Sequence, residues 1–174
     1  MEFVVTVPNL INTICIAAGI GICGLNLLQI SFSKQIRADV RRYFQVFFAL
    51  LLTYITTHLA RQLMDGMPGA GICVALYAVT FCELLVAGLM AAMMSLLVTR
   101  YAFEGNPNQR IERVLLGLVG LHVLLLVADL FGHFVFYFDA NNVYARGPLY
   151  ILSNLCPLSM LIINTLLLIR HKDS

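Results

Sequence analysis

Five apolar runs follow one another along the sequence, at 10–30, 44–63, 70–98, 114–136 and 148–169. A helix needs roughly 20 consecutive apolar residues to cross the hydrocarbon layer of a bilayer, and each run meets that length. None alternates with period two, which excludes a membrane β-barrel. No water reaches the bilayer core, so backbone groups must bond within their own segment, and that leaves helices. The expected fold class is all-α: one polytopic transmembrane helical bundle of five spans occupying residues 1–174. Composition agrees. The chain is 60% hydrophobic and 11% charged, with mean hydropathy +0.88, whereas a soluble domain carries about 25% charged residues. The lipid bilayer is therefore its first partner. A formal charge of +2 gives no indication of a nucleic-acid partner.

The connections are short and carry turn chemistry. Residues 31–43 read as a polar, basic linker. Asp65-Gly66 and Met67-Pro68-Gly69 mark a turn after the second run, and Gly105-Asn106-Pro107-Asn108 mark one after the third. Asn141-Asn142 precede Gly147-Pro148, where proline suits the first position of the fifth helix because its missing N–H leaves nothing unsatisfied. Nine of the eleven basic residues fall on one side: Lys34, Arg37, Arg41 and Arg42; Arg100, Arg110 and Arg113; Arg170 and Lys172. Arg61 and Arg146 fall on the other. The positive-inside rule then puts the amino terminus outside and the carboxyl terminus in the cytoplasm of a multi-pass cell-membrane protein. The segment before the first run holds Glu2 and no basic residue, so that run reads as an uncleaved helix, not a signal peptide.

Ionisable groups inside spans are costly and need a reason. His58, Arg61, Gln62 and Asp65 stand at i, i+3, i+4 and i+7 on one face of the second span. Glu83 lies near the middle of the third. His122, Asp129 and His133 stand at i, i+7 and i+11 on the fourth, and Asn154 lies near the outer end of the fifth. With the chain threaded as above, these groups gather in the outer half of the membrane. One reading pairs them between helices, Arg61 with Asp129 or Glu83 and His58 with Glu83. The other makes His58, Arg61, Gln62, Glu83, Asp129, His133 and Asn154 the lining of a pocket for a small ligand entering from outside. The two are compatible. The i, i+4 spacing of Asp129 and His133 also admits a metal or haem site with His58 and Glu83, but such spacing is common without metal, and no metal or cofactor is expected.

Neither HExxH nor a GxSxG-type serine setting occurs, so catalysis by this chain alone is not expected. The five cysteines are scattered singly in apolar segments and read as small buried hydrophobes. Ala17 and Gly21 have the small-xxx-small spacing that lets another helix approach, within the bundle or in a homodimer. Pro157 removes a backbone hydrogen bond inside the fifth span and should kink it.

Two stretches, His58-Leu-Ala-Arg-Gln-Leu-Met-Asp-Gly-Met-Pro-Gly69 continuing to Phe81-Cys-Glu83, and Tyr137-Phe-Asp-Ala-Asn-Asn-Val-Tyr-Ala-Arg-Gly-Pro-Leu-Tyr150, resemble the multi-span amino-terminal sensor regions of bacterial signalling proteins. In those proteins the membrane region precedes a diguanylate cyclase or a histidine-kinase-type ATPase. The resemblance implies a receptor input module that relays a signal to a cytoplasmic output domain, in cis or in trans. This sequence stops at Ser174 without one and has five spans where such receptors often have six or seven, so the resemblance implies either a piece of a longer receptor or a stand-alone relative. The alternative functions are a small transporter or channel subunit, and a structural partner of another membrane protein.

Overall fold

A computed structural model gives five helices long and apolar enough to cross a membrane: α1 (Val7–Phe32), α2 (Ala38–Met64), α3 (Ala70–Ala102), α4 (Gln109–Gly132) and α5 (Tyr150–Lys172). The structure describes residues 7–102 and 109–172, with side-chain surroundings for 11–99 and 109–169. The turn expected at 105–108 and the leading segment through residue 6 lie outside the described residues. The chain is a polytopic transmembrane helical bundle.

Helix α3 is the hub. It packs against α2, α4 and α5, while α1 packs on α2. Sequence explains the choice, because Gly88, Ala91, Ala92 and Ser95 of α3 are all buried, and small side chains let neighbouring backbones approach closely. No residue of α2 is buried, and of the described α1 side chains Cys23 alone is. These two helices form an outer layer on one flank of the α3–α4–α5 core. Cys15 is exposed, against the expectation that all five cysteines are buried, because α1 offers most of its circumference to lipid.

The helix boundaries differ from the hydropathy reading at most ends, three of which matter here. The polar linker shrinks to 33–37, since α1 runs to Phe32 and α2 starts at Ala38. Hydropathy marks where a chain leaves hydrocarbon, whereas a helix continues until its backbone bonding is interrupted. Asp39 in the first turn of α2 also complements the positive end of the helix dipole. The fourth span stops at Gly132, four residues early. Residues 136–138 instead form β1 (Phe136–Phe138), which pairs antiparallel with β2 (Tyr144–Arg146) in the register Phe136–Arg146, Tyr137–Ala145 and Phe138–Tyr144. Finally, α5 begins at Tyr150, two residues after Pro148.

The hairpin caps one end of the bundle, called here the hairpin end; the 33–37 connection marks the linker end. Val135, Phe136 and Phe138 are buried with Leu76 of α3, and Tyr77, Tyr144 and Tyr150 pack around them. Tyr77 lies 5.0 Å from Phe138 and 5.7 Å from Phe136, ring centre to ring centre, in the edge-on and tilted geometries that aromatic quadrupoles prefer. A second cluster, Ala91, Ala92, Leu115 and Met160, fills the bundle toward the linker end.

Candidate functional site

The last turns of α2 carry His58 and Arg61 one turn apart, and the antiparallel α3 brings Glu83 opposite them. Arg61 Nε donates to Glu83 Oε2 at 2.7 Å and Nη2 lies 3.4 Å from Oε1, a side-on fork of the kind that makes guanidinium–carboxylate pairs strong and directional. His58 Nδ1 sits 2.9 Å from Glu83 Oε1 and 3.2 Å from Arg61 Nη2. A protonated Nδ1 donates to the carboxylate but cannot also accept from arginine. The shorter distance and the charge on Glu83 select the Nδ1–H tautomer, leaving Nε2 as a bare acceptor. Side-chain exposure falls along the triad, 34% for His58, 18% for Arg61 and 10% for Glu83. An unpaired charge this deep would be costly, and the Arg61–Glu83 pair sets one charge against its opposite.

Aromatic rings hold the triad from both sides. Tyr54, one turn before His58, stacks on its ring with centres 6.3 Å apart and planes 14° from parallel. The Arg61 guanidinium lies over the Tyr144 ring of β2, 4.8 Å from its centre, within cation–π range. Arg61 therefore touches α3 and the hairpin at once. The Tyr144 hydroxyl is pushed up to about 12, first by burial and then by the neighbouring Tyr150.

Backbone contacts fix the hairpin over this place. The Tyr144 N–H donates to Asp65 Oδ1 at 2.9 Å, and Gly66 N–H donates to the Asn142 carbonyl at 2.9 Å. Asn142 Nδ2 reaches the carbonyls of Met67 and Gly69 at 2.8 and 3.2 Å. Gly66 and Gly69 have φ of 75° and 127°, conformations that glycine adopts at no steric cost. The α2–α3 turn can thus tuck under the hairpin.

The other expected site residues have different employment. Asp129 is buried at 1% exposure, and its Oδ1 accepts the Val135 N–H at 2.6 Å, while its carbonyl accepts the His133 N–H at 2.8 Å. It closes the end of α4 and directs the chain into β1; it makes no pair with Arg61 among the described residues. His133 lies beyond the helix with φ 50°, exposed, its ring 5.4 Å from Tyr77. Asp129 and His133 therefore share no helical face, and the metal geometry built on their i, i+4 spacing does not arise. Among the described residues no group of three potential metal ligands comes together. Asn154 is exposed on α5. Gln62 is half-buried with Oε1 unpartnered among the described residues.

His122 has a separate role. Its ring lies against Gly88, and Nε2 donates to the Leu84 carbonyl at 3.0 Å, tying α4 to α3 at the residue after Glu83. Sequence reasoning missed Tyr54, Tyr144 and Asn142. The available signal was two aromatic-rich triplets, Phe136-Tyr-Phe and Tyr144-Ala-Arg, flanking a five-residue loop with Asn-Asn, a hairpin pattern. Of its aromatics only Phe136 falls within the fourth apolar run at 114–136, which hides where β1 begins. Compared with protein-family models, curated proteins and solved structures, the chain matches none.

Proposed function

We propose that this chain is a non-enzymatic sensor, the membrane input part of a bacterial receptor, with its amino terminus and hairpin outside and its carboxyl terminus in the cytoplasm. One observation carries the reading: Arg61 joins α2 to Glu83 of α3 and to Tyr144 of the hairpin, and the hairpin leads directly into α5. A small ligand carrying an anionic group competes with Glu83 for Arg61, and a cationic one competes with Arg61 for Glu83. Either would leave the displaced partner without its counter-charge and bias the packing of α2 against α3 and the hairpin. It can do so only by its difference in affinity for the two packings. Helix α5, which carries Pro157 in its interior, would transmit that bias to a cytoplasmic output domain in cis or in trans.

The test is a chimera carrying a cyclase or kinase output domain after residue 174. Arg61→Ala and Glu83→Gln should each lock output at one level regardless of stimulus. Arg113→Ala, an exposed change at the linker end, should leave it responsive. Full response in both triad variants sinks the receptor reading.

A second reading, a transporter or channel subunit, is favoured by burial of Ser95, Thr99 and Asn164 toward the linker end, which extends polar groups beyond the triad. Against it, the Ser95 and Thr99 hydroxyls bond back to Ala91 and Ser95 carbonyls of their own helix. Solute flux in proteoliposomes that stops in Glu83→Gln would decide for transport.

A further inference from the structure

We propose that the cleft between the first turns of α2 and the last turns of α3 binds one anionic phospholipid, its phosphate on Arg42 and its upper acyl chain against Val46 and Met93. The cleft lies at the linker end, far from the His58–Arg61–Glu83 triad. It has a volume of about 380 Å³ and is lined by Asp39, Arg42, Tyr43, Val46 and Met93, a size typical of sites for small ligands.

Its polarity is graded with depth. Helices α2 and α3 are antiparallel, and His58 and Arg61 stand level with Glu83. By that register Arg42 is level with about residue 100 of α3, so Met93 lies roughly 10 Å deeper in the bilayer at 1.5 Å per residue. In the sequence Arg42 precedes the apolar run at 44–63 and Val46 lies within it, so the mouth is at the polar edge of the span and the floor toward the chains. Val46 is exposed and belongs to a membrane span, so the cleft opens sideways onto acyl chains. A soluble anion would leave that wall uncovered.

Charge supplies the preference for an anion. The acid in the lining, Asp39, is already met by Arg37 at 2.8 Å. Arg41 reaches the Ser33 carbonyl at 3.1 Å. Arg42 and Lys34, both exposed, have no side-chain hydrogen bond or ion pair among the described residues. A basic pocket between helices at headgroup depth is a recurrent lipid-headgroup site, with each nearby Lys or Arg adding about 1 kcal/mol. The site rests on Arg42 and the cleft and does not depend on the receptor reading.

The full chain, purified in detergent and stripped of lipid, would be titrated with dioleoyl phosphatidylglycerol and dioleoyl phosphatidylcholine and the bound lipid counted by native mass spectrometry. The expected result is one phosphatidylglycerol retained at concentrations where phosphatidylcholine is not. Arg42→Ala should weaken it roughly fivefold, and Met93→Trp, which fills the floor, should abolish it. Arg113→Ala, the same charge loss elsewhere at this end, should leave it unchanged. Equal retention of both lipids overturns the proposal, as does an Arg113→Ala loss matching that of Arg42→Ala. Competition by millimolar inorganic phosphate would make the site one for soluble anions, which also overturns it. Should Met93→Trp fail to fold by circular dichroism, Val46→Trp closes the same cleft from the lipid side, and undiminished binding there refutes the location.

Discussion

At Gly88 an added Cβ would stand 2.6 Å from Nε2 of His122, so alanine there must push the imidazole off the Leu84 carbonyl. Gly88→Ala should lower stability by about 1–3 kcal/mol, read as an earlier thermal transition in detergent. The same change in a His122→Ala background should cost far less, and equal costs would show that the contact is not what the glycine serves. Glu83→Gln removes the carboxylate facing the partly buried Arg61 guanidinium and should destabilise by about 1–3 kcal/mol. Replacing Arg61 and Glu83 together by leucine should recover most of that loss, because it removes the uncompensated charge. Asp129 separates capping from charge. Asp129→Asn keeps an acceptor for the Val135 N–H and should be tolerated, whereas Asp129→Leu leaves that donor unpaired at about 1–3 kcal/mol. At this scale the need for a partner at Arg61 and Glu83 was legible in sequence, because a nearby opposite charge makes such groups tolerable inside spans. Asp129 was not, because a carboxylate can be satisfied by backbone, and nothing in composition distinguishes that from an ion pair.

The hairpin is the element on which the site depends most and which hydropathy hid. Gly147 has no room for a side chain, since a Cβ would fall on the Phe134 carbonyl, so Gly147→Ala should detach β2 from β1. Asn142 combines φ 60° with side-chain bonds to the α2–α3 turn. Asn142→Gly should keep the backbone shape and lose the clamp, and Asn142→Ala should lose both. Amide exchange at 143–146 should accelerate in that order while helix amides stay protected. Tyr144 gives the hairpin a pH signature. Its hydroxyl titrates near 12 in the fold and near 10 when unfolded. The unfolded chain thus loses its proton first. The stabilisation is complete below pH 10 and is lost as pH rises toward 12. The thermal transition should fall more steeply across pH 10–12 in the parent than in Tyr144→Phe; parallel slopes would mean that the Tyr144 hydroxyl is not desolvated in the fold.

For the molecule as a whole, the α1–α2 layer and the α3–α4–α5 core differ in how much they bury, and the site lies on the seam between them. On the proposed function, a ligand that separates Arg61 from Glu83 would act at the α2–α3 packing, the most extensive between any two elements. Threading is the global feature on which the proposed function rests. In intact cells, a membrane-impermeant maleimide should label Ala140→Cys and leave Gln35→Cys unlabelled in a background lacking the native cysteines. The reverse pattern would turn the bundle over and take an externally acting ligand with it.

Hydrocarbon length and the cost of an unbonded backbone in lipid determined the helical class, the number of spans and their approximate limits, and the positions where charge had to find a partner. Those are one-dimensional constraints, imposed by the solvent on each segment separately. Which partner each charge found was decided by packing. The antiparallel register of α2 and α3 gave Glu83 to Arg61 and His58, the close face at Gly88 took His122, and the folding back of residues 133–147 drew Asp129 to the backbone and Tyr144 over the guanidinium. Such choices depend on distances between segments far apart in sequence, and no pattern within a single segment encodes them.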